Sequence, residues 1–304
     1  MPIALPAIRD LLLPGLRGIE GKYEQIPSQY DKLFMQLTSK MALERTVEMR
    51  YLPLAQLKTE GGQTHFDNMA GQRFTYNQEH NELGLGYAIT RKAIDDNLYR
   101  TQFNPSNLGL MESFHQTKET FGANIFNTAN VFNPAIGGDQ VALCATNHPI
   151  DGGTYANRPT VDIDLNEASL LAGMIQIRTN FRDQAGLRLY ARPRKLVIPP
   201  QLEPVAIRLT KTQLRPGTAD NDVNAILTTT GGLPDGYFVC DYFTSAFAWF
   251  LLTNIKGLCF MKRIAYEMDM QVEFVSDNLL VKGYERYSFG YYNPRSIWGT
   301  FPTS

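Results

Sequence analysis

Cys144 and His148 are the residues of this sequence best placed to hold a metal, because they stand four positions apart in one loop-rich stretch. Thiolate and imidazole groups bind zinc, but a structural zinc site needs four ligands, and the sequence suggests no other two. Asp162 and Asp164 resemble half of a calcium loop that lacks the glycine and the distal glutamate. We therefore predict a loop histidine at His148, and a solvated loop with a helix-capping acid at the two aspartates.

Other patterns typical of catalysis are missing from the sequence. Gly84-Leu85-Gly86 lacks the third glycine of a phosphate-binding loop and does not open a helix. Neither a GxSxG nucleophile motif nor an HExxH metal motif occurs. Asp95 and Asp96 are adjacent on a predicted helix, so their carboxylates do not face one centre. The sequence predicts no catalytic residue, metal or cofactor, and we expect the protein not to be an enzyme.

The composition indicates a folded chain whose main task is not to grip nucleic acid. The 304 residues are 43% hydrophobic and 19% charged, which is enough apolar content for a sizeable core. The 29 basic and 30 acidic residues give a net charge of −1, whereas tight binding to DNA phosphates needs a basic excess. The three cysteines lack CxxC spacing, so we expect buried thiols in a reducing compartment. No membrane segment is expected, because the most apolar stretch, 243–252, is about half the length of a spanning helix.

The first 88 residues have little material for a core of their own. Residues 1–50 indicate an extended arm that turns helical from Ser28, where apolar residues recur at helical spacing (Tyr30, Phe34, Leu37 and Met41). Residues 51–88 indicate a two-stranded ribbon with a turn at Asp67–Gly71, between Phe66 and the alternating Phe74 and Tyr76. A lone ribbon is marginal in water, so it must pack on another part of the molecule or on another copy.

The rest of the chain mixes helices and strands, which predicts an α+β fold. Thr90 can cap a short helix, and Asn104-Pro105 can open a longer one that runs to Ala129. Its apolar stripe, broken only by Lys118, suits a helix laid across a sheet. A second helix is predicted at about 165–181, and a third from Pro200. The predicted strands are Lys195–Ile198, Ala225–Thr229, Tyr237–Cys240, Trp249–Thr253, Leu258–Arg263 and Val272–Val275.

Aromatic residues crowd the last predicted segment, residues 278–298. They are Tyr284, Tyr287, Phe289, Tyr291, Tyr292 and Trp298. Such rings can stack on nucleic-acid bases, but that use normally comes with basic surroundings that are missing here. We therefore expect them to lie in a core or an interface.

Several stretches resemble the major capsid protein of tailed bacteriophages, which has the HK-ninety-seven capsid fold, and they occur along this chain in the same order as in that family. The second half contributes Pro199-Pro200-Gln201-Leu202, Asp241 followed by Trp249-Phe250-Leu251-Leu252, Lys282-Gly283-Tyr284-Glu285-Arg286, and residues 290–298. The first half is similar to the Mu-like head-protein branch in Pro27–Lys32, Ile89-Thr90-Arg91, Ile94–Leu98 and Thr146-Asn147-His148-Pro149.

The resemblance implies a domain plan for nearly the whole chain. It comprises an N-terminal arm (1–50), an extended loop that reaches over a neighbour (51–88), a peripheral domain (89–165 with spine helix 105–129, and 265–304) and an axial domain (166–264). It implies a structural subunit of an icosahedral phage or prophage head. Pentamers and hexamers would enclose double-stranded DNA that they contact non-specifically. Scaffolding and portal proteins, and a decoration protein in some relatives, would be partners. The head would assemble in the host bacterial cytoplasm and become part of the virion.

The inter-subunit contacts that we expect lie in the arm and the ribbon, namely Tyr30, Phe34, Lys58, Phe66, Met69, Phe74 and Tyr76. Some relatives cross-link a ribbon lysine to a neighbour's asparagine; Lys58 is in the matching region, but no partner motif is clear, so that chemistry is not expected. Two other functions stay open at this point. One is an encapsulin-type nanocompartment shell, which shares the fold, and the other is a cytosolic α+β enzyme.

Overall fold

A computed structural model describes residues 23, 25–66, 71–96, 99–211, 226 and 232–303. Within these residues the fold is α+β, with helices α1 Arg91–Asp95, α2 Tyr99–Asn127, α3 Glu167–Asn180 and α4 Glu203–Lys211. The strands are β1 Met35–Thr38, β2 Leu43–Arg50, β3 Gly71–Glu79, β4 Asn81–Ile89, β5 His148–Ile150, β6 Gly153–Tyr155, β7 Pro193–Ile198, β8 Tyr237–Val239, β9 Trp249–Thr253, β10 Leu258–Val272, β11 Leu279–Tyr291 and β12 Ile297–Thr300.

Two compact units are built from interleaved parts of the chain. The first unit comprises Met1–Leu43, Glu79–Gly122 and Phe260–Phe289. The second comprises Glu44–Gln78, Ala123–Cys259 and Gly290–Ser304. Each unit draws on segments that are far apart in sequence, so neither core can be recognised from one continuous stretch.

The first unit places helix α2 across a four-stranded sheet, as the apolar stripe predicts. The strand order is β1-β10-β11-β4, and β11 pairs antiparallel with β4 from Leu279↔Ile89 to Tyr287↔Asn81. Phe114 of α2 meets Tyr266 of β10 edge-on, with ring centroids 5.0 Å apart. A Cβ at Gly283 would lie 2.7 Å from the Phe114 ring. Glycine at this strand position therefore lets the helix approach the sheet closely.

The second unit packs α3 on a sheet with the order β12-β9-β7-β8. Strand β7 pairs parallel with β8 and antiparallel with β9, and its residues 196–198 are fully buried. Trp249 and Trp298 pack with ring centroids 5.0 Å apart, and Gly173 of α3 lies against the Trp298 ring. Asn166 caps α3 by accepting the N–H of Ser169 at 2.8 Å. Helix α3 and strand β9 thus follow the sequence prediction closely. Helix α2 was predicted to open at Asn104-Pro105, but it begins at Tyr99 and continues through Pro105.

The prediction for the arm is wrong beyond Ser28. Residues 30–32 form a single 3-10 turn, and strands β1 and β2 follow in place of a helix. The physical reason is tertiary pairing, since Ser39 donates its N–H to the carbonyl of Lys262 at 2.9 Å and β1 joins the sheet beside β10. A local helical spacing cannot compete with a sheet edge that the rest of the unit provides.

The ribbon is also placed differently from the prediction. It is formed by β2 and β3, while residues 81–89 leave it and pair with the long strand β11. Asp67–Ala70 of the predicted turn lie outside the described residues, as does predicted strand Ala225–Thr229 apart from Ile226. No separate strand covers Val272–Val275, because β10 runs from Leu258 to Val272 and a turn follows.

Candidate interaction surface

Residues 51–66, here called the exposed segment, connect the two strands of the ribbon. Every residue in it except Gly62 is exposed, and none lies in a helix or strand. The exposed side chains include large apolar ones: Leu54 is 74% exposed, Leu57 103% and Phe66 85%. Single exposed apolar residues are ordinary on a protein surface, but a cluster of them marks an interaction site.

Charged contacts within the second unit hold the root of this segment, by which we mean the adjoining ends of β2 and β3. The guanidinium groups of Arg50 in β2 and Arg73 in β3 both contact the carboxylate of Asp151. Glu48 of β2 accepts a hydrogen bond from Nη1 of Arg295 at 2.5 Å, and the Arg295 side chain is only 3% exposed. One aspartate thus joins the strand before the exposed segment to the strand after it. The segment is anchored through these strands, while its own residues stay exposed.

The predicted ribbon contacts fall into two groups. Lys58 and Phe66 lie in the exposed segment, and Phe74 is half-buried with the Arg73 guanidinium 5.1 Å from its ring centroid. Met69 lies outside the described residues. Tyr76 is 1% exposed within its own subunit, where its ring packs on Gly138 and lies 6.0 Å from that of Tyr291. Its role as an inter-subunit contact stays a prediction, and this burial leaves it little surface to offer a neighbour.

The predicted arm contacts lie in the first unit and are mostly covered there. Phe34 is 4% exposed and meets Phe289 edge-on at 5.1 Å, which favours a core position, and its role as an inter-subunit contact stays a prediction. Tyr30 is half-buried, with its ring 5.0 Å from that of Phe260. The sequence does not reveal this arrangement, because both ring partners follow the arm by more than 200 residues.

Residues 25–34, the arm end, are held to α2 by a buried carboxylate. Glu119 is 3% exposed and accepts the backbone N–H groups of Gln29 at 2.7 Å and Tyr30 at 3.1 Å. Burial raises the pKa of Glu119, and the two N–H donors oppose that rise because they favour the charged form. This contact ties the turn at the start of the arm end to the middle of the helix.

Lys118, the one break in the apolar stripe of α2, forms a buried ion pair. Its ammonium group contacts Oε1 of Glu285, while the Tyr23 hydroxyl donates to Oε2 at 3.1 Å. The ammonium also lies 4.8 Å from the Tyr23 ring centroid and 5.2 Å from that of Tyr287. Burial lowers the pKa of Lys118 and raises that of Glu285, and the opposite charge of each partner counters the effect. The polar residue in an apolar stripe was the sequence signal for this pair.

His148 serves the core of the second unit and is not a solvated loop residue. It is fully buried, with Nδ1 2.6 Å from Oδ2 of Asp139 and Nε2 3.0 Å from Oδ1 of Asn157. Both ring nitrogens are therefore engaged by protein oxygens. Asn157 in turn donates to the carbonyls of Leu143 at 2.7 Å and Pro294 at 2.9 Å, which joins three segments of the unit.

The other candidate chemical groups are also structural in the described residues. Asp162 is not a free solvated acid: its carboxylate accepts from the Arg158 guanidinium and, at 3.1 Å, from the N–H of Phe301. Cys144, Cys240 and Cys259 are buried, as predicted, and burial raises the pKa of Cys259 to about 11. No group of His, Cys, Asp and Glu in the described ranges is arranged to hold a metal ion. None of the helices that the structure describes is long and apolar enough to cross a bilayer.

A second exposed apolar feature was missed by the sequence analysis. Phe274 and Val275, at the turn between β10 and β11, are 97% and 91% exposed. The turn is ordered, since Asp277 has a positive φ of 55° and pairs with Arg91 at 3.0 Å. The strand prediction for residues 272–275 concealed it, although the run Ser276-Asp277-Asn278 is typical of a turn.

Comparison with known sequences decides the family. The profile of the family described as phage capsid protein matches residues 81–299, which is more than two thirds of the chain. The chain belongs to the phage capsid protein family. This capsid protein is accordingly a structural subunit of a phage head, and its place is the virion capsid. A search of curated protein sequences gives no significant match.

Solved structures agree with the family at the level of the fold. The capsid protein matches the capsid of cyanophage P-SCSP1u with a TM-score of 0.52 and 12% identity, covering 91% of this chain and 89% of that one. The capsid of the empty GTA particle matches with a TM-score of 0.54 and 11% identity, covering 91% of this chain and 90% of that one. The virus-like particle from Pyrococcus furiosus matches with a TM-score of 0.51 and 11% identity, covering 94% of this chain and 98% of that one. The predicted α+β capsid fold is confirmed, and the comparisons give no better support to the nanocompartment alternative.

Proposed function

We propose that copies of this capsid protein form pentamers and hexamers that close into an icosahedral head around double-stranded DNA. The observation that carries this proposal is the exposed segment. Its large apolar side chains are in contact with solvent, its flanking strands are anchored to the second unit, and the family to which the subunit belongs forms capsids. We infer that a neighbouring copy provides the cover. Heterologous contacts of this kind form rings when the rotation between copies closes.

The energetics suit a shell made from many repeated contacts. Burial of apolar surface contributes about 25 cal/mol for each Å² removed from water, so a modest patch at each interface suffices when it recurs in every subunit. Leu54, Leu57 and Phe66 are the anchors that we assign to this interface, with Lys58 at its polar rim. The root contacts through Asp151 hold the segment in one orientation, which reduces the entropy lost on docking.

Further parts of the proposal rest on the resemblance described above. They are membership of the Mu-like branch, the domain bounds 1–50, 51–88, 89–165, 166–264 and 265–304, and assembly in the host cytoplasm. Scaffolding, portal and decoration proteins are the expected partners, and the DNA contact is non-specific. The role is structural and involves no catalysis.

The test compares two triple variants, each of which replaces three exposed apolar side chains by serine. L54S/L57S/F66S alters the exposed segment, and V131S/V161S/I175S alters exposed residues elsewhere on the second unit. Negative-stain microscopy and sedimentation should show shells for the wild type and the control triple. The segment triple should remain as monomers or isolated capsomers with an unchanged melting temperature. Shells from the segment triple at wild-type yield would refute the proposed role of the segment.

A further inference from the structure

Arginine residues are concentrated in residues 178–195, here called the basic segment, which runs from the last turn of α3 to the start of β7. It contains six basic residues (Arg178, Arg182, Arg188, Arg192, Arg194 and Lys195) and one acid, Asp183, for a local charge of +5. The whole chain has a net charge of −1. An excess of this size in 18 residues is therefore a local feature, compensated by acids elsewhere in the sequence.

Two of these arginines face each other in a small hairpin. Arg182 and Arg188 form an isolated antiparallel bridge, closed by a turn in which Gly186 has a φ of 79°. Directly opposed residues in an antiparallel bridge have neighbouring side chains on one face, and like charges in that arrangement repel each other. The backbone is nevertheless well ordered, since Asp183 donates its N–H to Leu187 at 2.8 Å and Leu189 to Phe181 at 3.1 Å.

The acids of the same region are occupied by other partners. The carboxylate of Asp183 accepts the N–H of Leu187 at 2.8 Å, and Asp151 pairs with Arg50 and Arg73. In the part of the chain that the structure describes, Arg178, Arg182, Arg188 and Arg192 form no ion pair with a carboxylate. Arg194 differs from them, because it pairs with Asp235 at 2.9 Å.

An exposed aromatic ring stands beside the hairpin. Tyr190 is 75% exposed, and the Arg192 guanidinium lies 4.8 Å from its ring centroid. Packing on the ring holds this guanidinium in place and leaves its N–H groups available. Guanidinium groups in fixed positions suit phosphate oxygens, which they bind through two parallel hydrogen bonds.

We infer that Arg182, Arg188 and Arg192 form a binding site for the phosphate backbone of the enclosed DNA. Nη1 of Arg182 donates to the carbonyl of Gly186 at 3.1 Å, which holds this guanidinium at the turn. A phosphate that contacts its remaining N–H groups and Arg188 would relieve the repulsion between the two arginines. DNA is favoured over a second copy of this chain because the subunit has almost no net charge, whereas duplex DNA is a uniform polyanion. This inference rests on the proposed function, in which the subunit lines a DNA-filled head.

The experiment measures binding of the full-length chain, below its assembly concentration, to a short fluorescein-labelled DNA duplex at increasing sodium chloride. Each lost phosphate contact lowers the slope of log affinity against log salt by about 0.9, so R188Q/R192Q should lower it by about 1.8. The matched control R91Q/R194Q removes two exposed arginines that pair with aspartates, and it should keep the wild-type slope. The single variant R188Q, at an exposed position, should lose about half of the effect and guards against misfolding of the double variant.

Several outcomes would overturn the inference. They are a wild type that does not bind the duplex, equal slopes for R188Q/R192Q and R91Q/R194Q, or tighter binding of a labelled polyglutamate peptide than of DNA. The last outcome would assign the arginines to an acidic protein partner. Shell formation by the same samples is scored separately under the microscope. If the wild type forms shells but does not bind DNA, only this inference is refuted. If the wild type never forms shells, the proposed function is refuted.

Discussion

The arm end and the exposed segment both lack apolar partners in their own part of the sequence, but they are covered differently. Residues 25–34 lie on the first unit, where Phe34 is 4% exposed and Glu119 accepts two of their N–H groups. Residues 51–66 are exposed almost throughout, and Leu57 is 103% exposed. A shortage of local partners is therefore not enough to identify an inter-subunit contact. The exposed surface of the folded subunit makes that distinction.

The largest expected effect separates the two regions by stability. Phe34→Ala should lower the free energy of unfolding by about 3–5 kcal/mol, because it removes a buried ring and leaves a cavity next to Phe289. Leu57→Ala should change it by less than about 0.5 kcal/mol, since the side chain is fully exposed. Chemical denaturation of unassembled subunits measures both values. Similar losses for the two variants would mean that the two regions do not differ in the way described.

A smaller effect concerns the buried acceptor of the arm end. Glu119→Gln should cost about 1 kcal/mol, because its single amide oxygen can accept only one of the N–H groups of Gln29 and Tyr30, while relief of the buried charge offsets part of that loss. Hydrogen exchange at these two amides should accelerate, while exchange in the exposed segment should not change. Unaltered exchange at Gln29 and Tyr30 would show that this carboxylate does not hold the arm end.

The same variant should alter how stability depends on pH. Burial raises the pKa of Glu119 above its ordinary value of 4.5, so the folded chain keeps this proton to a higher pH than the unfolded chain. Between the two pKa values the folded state binds more protons, and stability falls as pH rises. Glu119→Gln should remove this part of the slope, while the slope due to Glu285, whose pKa is also raised, should persist. Denaturation midpoints measured across that pH range check the prediction.

The smallest effect is expected at the root of the exposed segment. Asp151→Asn removes the charge that Arg50 and Arg73 share, at a cost of about 1 kcal/mol or less for partly exposed ion pairs. Amide exchange should accelerate in β2 and β3 and not in β7. Arg194→Gln, which breaks an exposed ion pair with Asp235, is the matched control. If amide exchange in β2 and β3 is the same in the two variants, the contacts of Asp151 do not orient the segment.

Sequence patterns predicted the elements that depend on local order. Helix α3 and strands β7 and β9 follow from apolar spacing, a cap and flanking prolines. Helix α2 follows from its apolar stripe, but its predicted start at Asn104-Pro105 is wrong, because the helix begins at Tyr99 and contains Pro105. The structure of the arm end could not be predicted in this way. Its partners, Phe289, Phe260 and the carbonyl of Lys262, are distant in sequence, and their contacts favour a 3-10 turn and a strand over the helix that the apolar spacing suggested. Strand β4 joined β11 for the same reason.

The candidate surface was only partly readable from the sequence. Phe66 and Lys58, predicted as contacts, lie on exposed chain, whereas Tyr76 and Phe34 are buried in their own subunit. The sequence did not separate the two cases, since apolar type alone does not distinguish a core position from a contact. Lys118 shows a signal that the sequence analysis noted but did not use: a charge within an apolar stripe is a reason to expect a buried partner of opposite charge.

A cryo-electron microscopy reconstruction of shells assembled from the wild-type chain tests most directly whether a neighbouring copy covers the exposed segment. We predict that such a copy covers Leu54, Leu57 and Phe66, while Phe34 keeps its contact with Phe289 in its own subunit. A reconstruction in which residues 51–66 fold back on their own subunit, or remain exposed at every symmetry position, would contradict this prediction.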